Sequence, residues 1–153
     1  MAIEALLSKH KKNNFKIYIA VCIGLAIWSG YDGYFNEKFK ERHTDANGTP
    51  DATLAVNQKV PPFFIGAGVL LGAYLFAIRN KKVIADENEL VISDKERIPY
   101  DSIQKIDKTL FDSKGYFLIT YKDKNGSEVN RKLSDRTYDN LAAILEHLVA
   151  KIS

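Results

Sequence analysis

The chain has one cysteine, three histidines and four prolines, and beyond residue 78 it has no uncharged stretch long enough to cross a membrane. Each scarcity excludes something. Cys22 alone supports neither a disulfide framework nor a thiolate metal cluster, and it lies inside an apolar run, where it reads as a small packing residue. His10, His43 and His147 are far apart in the chain, and no glycine-rich stretch leads into Gly-Lys-Ser or Gly-Lys-Thr. A histidine-based nucleophile, a metal site and a phosphate loop therefore have no sequence support. No catalytic, cofactor-binding or metal-ligating residue is assigned, and the expectation is a protein that is not an enzyme and needs no cofactor.

What is present is two uncharged runs, 17–31 and 60–78, in front of a strongly polar second half. A hydrocarbon core of about 30 Å takes about 20 helical residues. The second run, VPPFFIGAGVLLGAYLFAI, meets that length, and Arg79, Lys81 and Lys82 follow it as headgroup anchors. The first, IYIAVCIGLAIWSGY, spans if Lys16 snorkels at one end and Asp32, Tyr34 and Phe35 occupy the opposite interface. Tyr18 at one end and Trp28, Tyr31 and Tyr34 at the other suit an aromatic belt. Pro61 and Pro62 fit the first turn of a helix, where their missing N–H groups have no internal use. The lysines before the first run imitate a secretory signal, but no small-x-small cleavage site follows, so the run reads as an uncleaved signal anchor.

Lys9, Lys11, Lys12 and Lys16 precede the first run, and the basic trio Arg79, Lys81 and Lys82 follows the second. The positive-inside rule then puts both termini in the cytoplasm, although Lys38, Lys40, Arg42 and Lys59 in the intervening stretch narrow the bias. The expected location is the cytoplasmic (inner) membrane, with Lys11, Lys12, Arg79, Lys81 and Lys82 as candidates for headgroup contact. Asn47-Gly48-Thr49 is formally a glycosylation acceptor, but Pro50 follows it, and the segment reads as a turn. Gly68 and Gly72 stand one turn apart on one helix face, and Gly24 belongs to a similar small-residue series with Ala20, Ala26 and Gly30. Gly24, Gly68 and Gly72 are the candidates for close helix packing.

The rest of the chain alternates. β-rich pieces are expected at 82–85, 89–93, 97–100, 104–111, 115–122 and 127–133, with Asn125-Gly126 as a hairpin turn and Phe117, Ile119 and Tyr121 on one face. A final helix is expected to begin at Ser134 or Asp135 and to carry a wide apolar stripe from Tyr138 to Ile152, with Glu146 and His147 on its wet side. The fold class is thus an α+β membrane protein: a two-helix transmembrane hairpin, then an antiparallel barrel or sheet of about five to seven strands capped by a C-terminal helix. The divisions are a basic cytoplasmic tail at 1–16, helices at 17–35 and 60–78, an outer loop at 36–59 and a cytoplasmic domain at 79–153.

A transmembrane hairpin followed by IPYDSIQKID, SKGYFLITYKDKNG and a terminal amphipathic helix resembles the bacterial membrane-anchored proteins with a pleckstrin-homology-like domain. The resemblance covers roughly residues 83–152. It implies a partly open antiparallel barrel plugged by the last helix, and binding or scaffolding instead of catalysis. The chain departs from phosphoinositide-binding relatives at the first hairpin, which is basic there and Asp86-Glu87-Asn88-Glu89 here. From residue 80 onward thirteen basic and thirteen acidic residues cancel, so the chain's formal charge of +3 belongs to the tail and the membrane flanks and argues against nucleic acid. The leading functional expectation is a membrane accessory or scaffold protein, a candidate small subunit of a larger membrane complex, that binds a protein partner through Tyr100 and Phe111. The alternative is binding or sensing of anionic lipid headgroups.

Overall fold

Two units make up residues 1–153 of the computed structural model: a helical unit, Asn13–Ala77, and a sheet unit formed by Met1–Lys12 together with Ile78–Ser153. Helix α1 (Lys9–Gly30) begins in the sheet unit and runs on through a π turn at Tyr31–Phe35. Helix α2 (Glu37–Arg42) starts at Asn36, whose side-chain oxygen accepts from the Phe39 amide at 3.2 Å. Helix α3 (Ala52–Lys59) starts at Asp51, which accepts from the Leu54 amide at 2.9 Å. It passes into α4 (Pro61–Ile78) at two prolines that lack the N–H groups needed to continue the ladder. With these extensions the apolar stretches become Lys9–Phe35 and Ala52–Ile78, 27 residues each and apolar enough to cross a membrane. The segment 36–59, expected as a loop, is therefore largely helical, and only its tip is a turn, where Thr44 pairs with Pro50.

Within the helical unit α1 and α4 meet at three levels. The Phe15 and Tyr74 rings lie 5.3 Å apart, a Cβ added at Gly68 would sit 3.6 Å from the Cys22 Cβ, and one added at Gly30 would sit 3.7 Å from the Pro61 ring. These positions recur about every seven residues on both helices and in reverse order, so the two helices run antiparallel along this seam. Beyond the π turn, Gly33 approaches the Asn57 carbonyl so closely that a Cβ would stand 2.7 Å from its oxygen, and only glycine fits. Gln58 Nε2 donates to Gly33 O at 3.0 Å and the Tyr34 hydroxyl donates to Gln58 O at 2.7 Å, so the far end of the hairpin is tied by side chains. The lateral faces stay bare. Ala26 is the one buried side chain of α1, while Ile17, Ile27, Trp28, Phe63, Leu70 and Phe76 are each more than half exposed.

The sheet unit contains two antiparallel sheets. Strands β1 (Ile3–Leu6), β2 (Lys82–Ala85), β3 (Glu89–Ser93) and β4 (Glu96–Pro99) form the first in sequence order, and β5 (Ile103–Asp107), β6 (Tyr116–Lys122) and β7 (Glu128–Ser134) form the second. A short helix, α5 (Phe111–Lys114), links β5 to β6, and α6 (Leu141–Ile152) ends the chain. Alternation sends Val83 and Ala85, Leu90 and Ile92, and Phe117, Ile119 and Tyr121 into one core, which α6 completes with Leu141, Ile144, Leu145 and Leu148. The expected shared face of β6 is present, as is the Asn-Gly hairpin turn, with Gly126 at φ 79°.

Several expectations are corrected. The segment 1–16 carries β1, paired with β2 from Ile3↔Ala85 to Leu6↔Lys82, so the folded domain includes residues from both ends of the chain and is not confined to 79–153. Of the expected barrel or sheet, the structure has two separate antiparallel sheets and no closed barrel: β4 and β5 are joined by a 3-10 turn at Tyr100–Ser102 without a ladder between them, and beyond β1 and β7 the chain meets through the Leu7↔Tyr138 bridge and its flanking backbone bonds. The strand expected at 104–111 stops at Asp107, because α5 follows and ends on a left-handed Gly115 at φ 69°. The final helix begins at Leu141 after a left-handed Asn140, so Ser134 ends β7 and Asp135 opens the turn that precedes the helix. His147, expected on the wet side, is half-buried against Tyr100, with ring centroids 6.1 Å apart.

Leu7, 2% exposed, donates its amide to Lys81 O at 2.9 Å. Leu7→Ala should lower unfolding free energy by roughly 2–5 kcal/mol, the usual range for a buried leucine. Deleting residues 2–6 should abolish the cooperative transition of the sheet unit in detergent. Unchanged melting after that deletion would mean that β1 is dispensable.

Candidate functional site

Three sets of side chains were singled out by sequence. The headgroup candidates cluster where the chain passes between the sheet and the long helices. Lys82 Nζ is held by Glu4 at 2.6 Å across the β1–β2 ladder, which removes it from the set available for headgroups. Lys81 and Arg79 are exposed, whereas Lys11 and Lys12 are half-buried in the first turn of α1. Sequence reasoning missed Ser8, the one fully buried polar side chain. Its Oγ accepts from the Lys11 amide at 3.1 Å, capping α1, and its hydroxyl donates to Arg136 O at 2.7 Å. Its amide donates to Thr137 O at 2.8 Å, and the Asp139 carboxylate accepts from the Lys9 amide at 3.1 Å. A serine ahead of Lys9-His10-Lys11 was a readable helix-start signal, but its second partner lies 128 residues away.

The partner candidates occupy different places. The Tyr100 hydroxyl donates to Asp86 O at 2.6 Å, and its ring packs on His147. Burial, with Asp86 and then Glu89 adding negative potential, pushes its phenol up to about 12, so it stays a donor throughout the physiological range. Phe111, at the start of α5, packs edge-on to Phe117 with centroids 5.8 Å apart and is half-buried. Each aromatic ring therefore belongs partly to the core. The outer side of Phe111, with Leu145 and Val149, floors an open groove of about 800 Å³ between α5 and α6. Ala142 and Ala150 leave the helix side of this groove open, and Lys108, Asp112 and Glu146 stand around it. Tyr100 borders a separate recess of about 480 Å³ with Glu87, Asn88, Pro99, Asp101 and Lys151. The two rings do not form one site.

The three packing glycines also separate. Gly68 faces Cys22 across the helix seam, while a Cβ at Gly24 or Gly72 would meet nothing within 4 Å. Gly30 and Gly33, not singled out among the packing candidates, make the closer approaches. The histidines lie at the start of α1, the hairpin tip and α6, and no cluster of three or more His, Cys, Asp and Glu is arranged to hold a metal ion. At the tip, His43 Nδ1 lies 2.7 Å from Asp51 Oδ2, and the Leu54 amide followed by His43 holds the Asp51 carboxyl below the usual carboxylate range.

A scan of protein-family models, a search of curated proteins and a search of solved structures each found no match to this chain.

Because Gly68 faces the seam and Gly72 does not, Gly68→Leu should weaken the hairpin by roughly 1–2 kcal/mol, the scale of close transmembrane packing, and Gly72→Leu should not. Thermal melting in detergent distinguishes them. Equal behaviour of the two variants would show that the seam does not depend on this contact.

Proposed function

We propose that the protein is a non-enzymatic, membrane-anchored scaffold whose sheet unit holds a protein partner in the groove between α5 and α6. The observation that carries this reading is the groove itself, with an apolar floor of Phe111, Leu145 and Val149, two alanines that leave room for an incoming side chain, and rim charges of both signs. That is the pattern of a protein-binding patch, an apolar centre within a polar border. An anionic headgroup would meet Asp112 and Glu146 against the single Lys108. An amphipathic segment carrying a basic residue fits the same surroundings, with the carboxylates as its counter-charges.

The anchor reading draws on the exposed faces of α1 and α4. Trp28, Phe63 and Leu70 are 67%, 76% and 73% exposed, an apolar surface that suits hydrocarbon and not water. β1 leads into α1 and α4 leads into β2, and those strands pair, so two spanning helices would return the chain to the side from which it left. The basic flanks assign that side to the cytoplasm. Antiparallel strands beside a C-terminal helix are also what the pleckstrin-homology-like resemblance implies, and that likeness remains part of this proposal.

In a Cys22→Ala background, Thr49→Cys at the hairpin tip should react with an impermeant thiol reagent in intact cells, and Ser127→Cys should not. Labelling confined to Ser127→Cys would reverse the orientation. For the groove, a photoreactive residue in place of Glu146 should give one discrete protein adduct in native membranes, whereas one in place of Lys124 should not. Ala150→Arg, which fills the groove from an exposed position, should abolish that adduct. Adducts to lipid alone, or equal adducts from both positions, would sink the scaffold reading.

A further inference from the structure

Strand β7 (Glu128–Ser134) is the longest strand at the border of either sheet, and its seven residues pair with β6 without a register shift, from Tyr116↔Ser134 to Lys122↔Glu128. Its other edge is open. At the two ends of the ladder the Asp123 amide donates to Ser127 O and the Asp135 amide donates to Gly115 O. Antiparallel bonding alternates along a strand, so the odd-numbered residues between 127 and 135 turn their backbone groups toward β6, and Glu128, Asn130 and Lys132 turn theirs outward. All three are exposed, and no other backbone group bonds to them. Ser134 leaves this series because its carbonyl accepts from Thr137 and Tyr138. The other borders are less regular or already used: the ladders of β4 and β5 each contain a register shift, and β1 accepts from the Asp139 amide and from Asn140 Nδ2.

A free edge is a template for another strand, and the charges along it decide which strand it takes. Glu128 and Lys132 have no ion-pair partner within the chain, Lys132 Nζ resting 3.8 Å from the centre of the Tyr116 ring. In an antiparallel pair of β7 strands with its two-fold axis at Asn130, Glu128 stands opposite Lys132 of the second copy, and the symmetry repeats the pair. Asn130 meets itself at the axis. Its Oδ1 accepts from the Thr120 hydroxyl at 2.6 Å, which leaves Nδ2 to donate across the axis. Axes at Glu128, Arg131 or Lys132 oppose like charges, and one at Val129 sets Lys132 against Gly126, so the charges select one register. In that register Gly126 of the second copy falls opposite Ser134. There the edge borders a concavity of about 400 Å³, lined by residues 131–134 and 136–138, with space for the uncharged Asn125-Gly126 tip.

We infer that the protein self-associates through β7, two copies pairing antiparallel about Asn130 so that their three-stranded sheets become one continuous sheet. This goes beyond the scaffold reading and depends neither on the groove nor on the orientation in the membrane.

The test uses the full chain in native membranes in a Cys22→Ala background. Under mild oxidation Asn130→Cys should give a disulfide-linked dimer, because a bonded antiparallel pair holds its Cα atoms about 5.5 Å apart, within disulfide range. Gln104→Cys, exposed on the β5 edge, should not. Added to Asn130→Cys, either E128K or K132E should slow cross-linking roughly tenfold, since each sets like charges opposite one another at two symmetric points. E128K/K132E should restore the rate. A folding defect from a lysine at 128 facing Lys122 within one chain would not be repaired by K132E, so recovery reports contact between copies. Absence of the Asn130→Cys dimer, an equal yield from Gln104→Cys, indifference to the single swaps, or a double swap as slow as the single ones would each overturn the pairing.

Discussion

Between Ile3–Leu6 and Lys82–Ala85 runs a four-residue antiparallel ladder that closes a loop containing both long helices. Without it, β2 would be an unpaired edge, Ala5 and Leu7 would leave their buried sites, and α6 would lose one of the strands on which it packs. The closure joins residues about 78 positions apart, as in the Glu4–Lys82 pair. Loop-closure entropy grows only with the logarithm of length, so the number of intervening residues is a modest obstacle. The intervening chain also makes its own return: Phe15 meets Tyr74 and Cys22 meets Gly68 within the helical unit, while Leu7 bonds Lys81 within the sheet unit. Each unit separately requires the same two chain crossings to lie side by side.

Local patterns were legible, and long-range ones were not. β2 and β3 fall on their expected residues because a short apolar run bounded by Asp, Glu and Asn is a strand signal complete in itself. β6 is equally plain from its alternation. β1 was hidden because Ile3-Glu4-Ala5-Leu6 is too short to display a period, and the lysines that follow gave the segment the look of a tail. α5 was missed, its first residue Phe111 assigned to a strand and 112–114 left without an element, although Gly115 was a readable helix terminator. Tyr138 fits the helical stripe by spacing, yet Asn140 in the left-handed region separates it from α6. The glycine pair shows the same limit. Spacing put Gly68 and Gly72 on one face, but the seven-residue seam selects Gly68 alone, and its direction depends on the other helix.

The open barrel has a local cause at one of its seams. Pro99 ends β4 without an N–H to donate, the next three residues form a 3-10 turn, and β5 leaves at an angle set by that corner. At the other seam, Ser8 and Leu6 exchange backbone bonds with Thr137 and Asp139, with only an isolated bridge between Leu7 and Tyr138. Glu96 braces the interior side of the gap by accepting from Tyr121 at 3.3 Å and pairing with Arg131 at 2.9 Å. α6 covers β1, β2 and the 3-10 corner, so its inner stripe is consumed by the core and its outer edge is left for the groove.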